Sequence, residues 1–161
     1  MLKLYKEIDG RLHYWETWDE DEGRSFIHWG IVGQLGDTNI VTPENTPNYK
    51  QAIQDEITEK KVEGFKEVEK EKMMYLEIEY RIEGDGFGRL DDLDKRHRLE
   101  RRLDEILGWT GLGHVDGGSI GGGTMEVGCL VVDFAIAKKV VETVLKHTEF
   151  NNYSRIFILG G

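Results

Sequence analysis

The spacing of apolar residues restricts the fold of this chain more than any other feature. Three early stretches, LKLYKEI, RLHYWETW and SFIHWGIVG, alternate apolar or aromatic residues with polar ones. A period of two sends successive side chains to opposite faces of an extended strand, so each stretch predicts a half-buried strand. Asp9-Gly10 is a tight-turn signal between the first two. The run Asp19-Glu-Asp-Glu-Gly23 separates the second from the third, and its four carboxylates belong in solvent. Gly33, Gly36 and Asp37 mark another turn before a short NIVT strand. Pro43 and Pro47, the only prolines, bracket the exit from this sheet, and Pro47 is placed to open a helix. Tyr49, Ala52, Ile53, Glu56, Ile57 and Lys60 then fall on one helical stripe. Gly64 is placed to end that helix, with Phe65 and Val68 returning to the sheet.

After the charged segment KEVEKEK at 66–72, which reads as a linker or solvated extension, a different pattern begins. MMYLEIEYRI alternates as a strand. Asp91 or Asp92 is placed to cap a helix of about fifteen residues that turns Leu93, Leu99, Leu103, Ile106 and Leu107 inward and stops at Gly108. A short strand at Gly113–Asp116, the Val-rich strand TMEVGCLVV, a helix capped by Asp133 and the strand SRIFIL complete the order β-α-β-β-α-β. That second helix carries its apolar face on Ile136, Ala137, Val140, Val141, Val144 and Leu145. The order is that of a ferredoxin-like split βαβ sandwich, with two helices on one face of a four-stranded antiparallel sheet. The expected fold class is therefore α+β, with a first domain over 1–70 and a ferredoxin-like domain over 73–161.

At His28-Trp-Gly-Ile-Val-Gly-Gln-Leu-Gly36 the chain resembles the WGR domain, a small module of poly(ADP-ribose) polymerases and bacterial proteins. The resemblance covers about residues 2–68. It rests on Trp29-Gly30, Gly33, Gln34 and Gly36, the helix that follows, and the Lys61…Gly64-Phe65 ending. It implies a WGR-like antiparallel sheet with a helix. In DNA-binding members the Trp and Arg of the signature engage a DNA end. Here the arginine position is Ile31, so that role carries over to Trp29 alone. Otherwise Trp29 is an aromatic packing the sheet.

The chain has 161 residues, 39% apolar and 32% charged, a composition that suits a globular domain and excludes general disorder. No apolar run is long enough to span a bilayer and the N-terminus lacks a signal-peptide core, so a cytoplasmic location and no membrane partner are expected. The single Cys129 fits a reducing compartment. The formal charge is −10, with 10 basic and 16 acidic side chains before residue 73 and 11 and 15 after it. A nucleic-acid binder draws its affinity from neutralising phosphates, so an acidic balance in both halves argues against that class.

The stretch GLGHVDGGSIGGG at 111–123 raises a phosphate-loop question. No lysine follows the glycines, the dinucleotide spacing fails at Asp116, and a strand follows where a helix is needed. A backbone anion nest over Gly117–Gly123 is one reading. The other is a hairpin whose glycines admit a close neighbour. His114 and Asp116, two apart, share one face of a strand, and Asp116-Gly117 also reads as a turn. A metal site would need three or four ligands of definite spacing, which the remaining histidines at 13, 28, 97 and 147 do not show, so neither cofactor nor metal is expected. Lys95, Arg96, Arg98, Arg101 and Arg102 form the basic cluster, either a docking patch centred on Arg98 and Arg102 or a solvated face balanced by neighbouring acids. Cys129 sits in an apolar run and reads as core. Tyr14, Trp15 and Trp18 beside the acidic run 19–22 offer an acidic and aromatic surface suited to a basic protein.

Together these features predict a non-enzymatic binding or regulatory protein that engages a protein partner through that surface, in the manner of small acidic bacterial immunity proteins. The alternatives are a nucleic-acid accessory module acting through Trp29 and the Arg98 helix, and a nucleotide or small-molecule site at the glycine hairpin with His114 and Asp116.

Overall fold

In a computed structural model, which describes residues 1–20 and 23–160, the chain is α+β. It divides into two compact units, Met1–Glu69 and Lys70–Gly161. No described helix is long and apolar enough to cross a membrane.

In the first unit, β1 (Leu2–Ile8), β2 (Arg11–Glu20), β3 (Arg24–Ile31) and β4 (Asp37–Val41) form an antiparallel sheet in chain order. Asp9 (φ 51°) and Gly10 (φ 75°) make the left-handed pair that a two-residue hairpin needs. Helix α1 (Tyr49–Glu63) covers one face, and Leu4, Trp15, Ile27, Val41, Ile53 and Phe65 pack between them. Each such aliphatic side chain taken out of water contributes about 1.5–3 kcal/mol. The helix starts two residues after Pro47, not at it. Asn48, left-handed at φ 55°, is its N-cap. Ala52, expected on the packed stripe, is exposed. Gly64 ends the helix as expected: its N–H donates to Lys61 O, and Phe65 N–H to Lys60 O. The chain then returns to the sheet edge, where Tyr5 and Lys66 exchange backbone hydrogen bonds of 2.8 and 2.9 Å.

The second unit opens with a 3₁₀ turn at Lys70–Lys72. Its elements are β5 (Met74–Arg81), α2 (Leu90–Trp109), β6 (Gly113–Gly121), β7 (Thr124–Val131), α3 (Phe134–Leu145) and β8 (Arg155–Leu159). The strand order is β6-β7-β5-β8 with every pairing antiparallel, the ferredoxin-like arrangement. Leu76, Ile78 and Tyr80 of β5, Leu99, Leu103 and Leu107 of α2, and Ala137, Val141 and Leu145 of α3 are buried. Asp133 caps α3 by accepting from Ile136 N–H at 2.8 Å.

In the second unit three local expectations differ from the structure. Helix α2 has 20 residues and begins at Leu90. Its N-cap is Arg89, and Asp92 reaches back to accept from Arg89 N–H at 2.8 Å. Gly108 lies inside α2, which closes at Thr110, where Thr110 Oγ1 donates to Ile106 O at 2.6 Å. Strand β6 runs to Gly121, well past Asp116, and Asp116-Gly117 is part of a β-bulge in it, not a turn.

Candidate functional site

Strands β2 and β3 carry aromatic side chains on both faces, and their register sorts those faces. Trp15 lies opposite Trp29 and His13 opposite Ile31, on the side of α1. Tyr14 and Glu16 take the other side, Glu16 directly opposite His28. On the α1 side Trp15 is buried in the core and its Nε1–H donates to Glu56 Oε1 at 3.0 Å. Its cross-strand neighbour Trp29 sits further out and stays 39% exposed. Between Trp29 and α1 lies a groove of about 190 Å³ lined by His13, Trp15, Trp29, Glu56, Lys60 and Phe65. Lys60 Nζ stands 5.6 Å from the centre of the Phe65 ring and donates to Glu63.

The opposite side explains the spacing of the Trp29-Gly30 segment. The loop after β3 folds back over the sheet, and its carbonyls meet buried polar side chains. His28, fully buried, places Nδ1 at 2.7 Å from Glu16 Oε1 and Nε2 at 2.6 Å from Leu35 O. Oxygen atoms thus face both nitrogens of the ring. Glu16 also pairs with Lys3 Nζ at 3.0 Å. Tyr14 donates its hydroxyl toward Gln34 O and Leu35 O, each at 3.0 Å. Burial, then the carboxylates of Glu16 and Asp37, push that hydroxyl's pKa up, so Tyr14 stays neutral. A Cβ on Gly30 would lie 2.8 Å from Gly36 Cα and 3.0 Å from the Tyr14 hydroxyl. A Cβ on Gly36, whose φ is 71°, would collide with the Trp29 carbonyl oxygen. Glycine at 30 and 36 is thus required by close packing of the loop. Trp29 is the aromatic side chain of this segment that reaches solvent, at 39% exposure.

This geometry corrects the expected acidic and aromatic surface. Tyr14 and Trp15 are 1% and 2% exposed, because strands packed on both faces leave no outward side for them. Trp18 is half-buried and stacks on Phe26, ring centres 5.1 Å apart. Asp19 and Glu20 are exposed at the end of β2, while Asp21 and Glu22 of the acidic run lie outside the described residues. Glu16 and His28, which hold the loop, escaped the sequence reading. The signal for them was present: aromatics at both parities of β2 mean that both faces are covered, so polar residues among them are buried.

In the second unit the expected residues stay apart from Trp29 in sequence and form separate surface features. Arg98 pairs with Glu149 at 2.9 Å and Arg96 with Glu100 at 3.2 Å, while Arg102 is exposed. Lys95 lies 4.6 Å over the Tyr80 ring and donates to Asn152. His114 is exposed, and so is Asp116, which pairs with Lys70 at 3.4 Å. Two glycines of 111–123, Gly113 and Gly118, are closely packed by the fold. A Cβ on Gly118 would meet Glu100 Oε1 at 2.7 Å and Arg96 Cδ at 3.1 Å, so the strand admits α2 closely. Cys129 is fully buried, and burial pushes its thiol up to about 12, which keeps it protonated and unreactive. Among the described residues no group of three His, Cys, Asp or Glu side chains is placed to hold a metal.

Searches of family models, curated proteins and solved structures find no match to this chain. The functional reading therefore rests on the groove itself.

Proposed function

We propose that this is a non-enzymatic binding protein whose first unit receives one side chain of a protein partner in the groove beside Trp29. The half-exposed indole carries this reading. A large aromatic left in water at the wall of a groove is the kind of anchor that dominates protein interfaces. The volume of about 190 Å³ falls below the roughly 300–1,000 Å³ of small-molecule sites, whereas about 150 Å³ already takes a benzene ring. One aromatic or aliphatic group fits. With a net charge of −10, encounter favours a basic partner.

A photo-reactive residue in place of His13 tests the proposal in the source cell. The expected product is a covalent adduct with one protein, formed at least tenfold less when Trp29→Ala is added. Absence of a protein adduct would overturn the reading.

A second reading follows from the same exposure, since an outward indole also stacks on an unpaired base. It agrees with the WGR resemblance and conflicts with Ile31 and the acidic balance. A nuclease-sensitive adduct, together with salt-dependent binding to a duplex end that Trp29→Ala abolishes, would select it.

A further inference from the structure

The segment 82–90 joins β5 to α2 and leaves two large apolar side chains in water. Phe87 and Leu90 are each 81% exposed. Single exposed apolar residues are ordinary on any surface, but two of this size, three positions apart at the mouth of one helix, are not. Their backbone is held in place. Gly123 N–H donates to Gly86 O at 3.1 Å and Ile82 N–H to Gly123 O at 3.0 Å, fastening the segment to the turn between β6 and β7. Phe87 N–H donates to Asp85 Oδ1 at 3.1 Å, and Arg89 N–H is held by Asp92. A pair presented on fixed backbone loses little entropy when it is covered.

The charges around the pair choose what covers it. From Glu83 to Asp94 five carboxylates stand against one cation, Arg89. Glu83, Asp85, Asp91 and Asp94 are exposed. The Arg89 guanidinium folds back over its own loop, 3.6 Å from where a side chain on Gly84 would begin. Anionic lipid surfaces and nucleic acids are repelled by such a rim. A second copy docking here symmetrically would bring like carboxylates together. An apolar pocket rimmed by lysine and arginine matches both the pair and its rim.

We infer that the 82–90 segment is a docking surface for a protein partner that offers an apolar pocket with a basic rim. It lies in the second unit and does not use the Trp29 groove. The test uses the full chain and a synthetic amphipathic peptide of leucine and lysine, with a leucine–glutamate peptide and phosphatidylglycerol vesicles as competitors. Backbone NMR shifts caused by the leucine–lysine peptide are expected at 82–94. Phe87→Ser with Leu90→Ser should weaken its binding at least tenfold, and Asp85→Lys severalfold. Val62→Ser, which removes an exposed apolar side chain elsewhere, should leave affinity unchanged. The inference is overturned by equal binding to the serine double variant with its fold intact by NMR. Preferential binding of the glutamate peptide or the vesicles would also overturn it. So would wild-type self-association in sedimentation that the serine pair abolishes, since that would make a second copy the occupant.

Discussion

Gly36 shows how tightly one residue can be bound into the geometry behind a site. Its backbone is left-handed, and a side chain there would run into the Trp29 carbonyl and the Tyr14 hydroxyl. The obstacle is backbone, so it cannot swing aside. Gly36→Ala is expected to destabilise the first unit by about 2–5 kcal/mol, the sum of a left-handed alanine and local overpacking. Denaturant unfolding followed by tryptophan fluorescence would measure it. A loss under about 0.5 kcal/mol, the scale of a neutral surface change, would contradict this account of the loop. The glycine spacing around Trp29 was legible in the sequence as a motif, but its cause was not. Tyr14, which makes glycine necessary at 30 and 36, lies sixteen and twenty-two positions away and meets them only through strand pairing.

At the scale of elements, the face of the C-terminal sheet opposite its helices brings carboxylates together. Glu79 lies across from Glu126 on β7 and Arg155 on β8. Hydrogen bonds from Arg155 and Ser154 pull the Glu79 pKa down, so its stabilising contribution is present at neutral pH and is lost as pH falls through its folded value. Glu77 behaves oppositely. Burial, then Glu126 and Glu79, raise its pKa, so its charged form costs stability above the folded value and the cost disappears on protonation. Glu77→Gln should therefore stabilise the chain at pH 7 by about 0.2–1 kcal/mol, the range of cross-strand charge pairs. That gain should fade to nothing below the ordinary carboxylate pKa of about 4. Chemical denaturation across pH reads both; a gain that persists at pH 3 would refute the electrostatic cause. The alternation of MMYLEIEYRI predicted this strand, while the rows formed by Glu77, Glu79 and Glu126 depend on a register that no local pattern states.

For the whole molecule, each unit holds a buried core of its own, with Leu4, Trp15 and Ile53 in the first and Leu76, Leu103 and Val141 in the second. Fragments 1–69 and 70–161 are therefore expected to fold separately, with circular dichroism spectra that add up to that of the full chain. The first, near the size where a single core supplies only about 3–5 kcal/mol, should unfold earlier in denaturant. A fragment 1–69 without cooperative unfolding would show that its core does not suffice.

The element order, the α+β class and the burial of Cys129 are legible in the sequence alone, whereas the strand order β6-β7-β5-β8 rests on pairing between distant segments. The legible features follow from period, capping and turn chemistry, which act over a few residues. Tertiary structure decided which aromatics reach solvent. Tyr14 and Trp15 look as available as Trp29 in the sequence, but sheet pairing places the first two under covered faces and the third at the groove's rim. It also decided that Gly118 receives α2 and that Gly123 pairs with the 82–88 loop, since a residue that permits close approach cannot by itself specify what approaches.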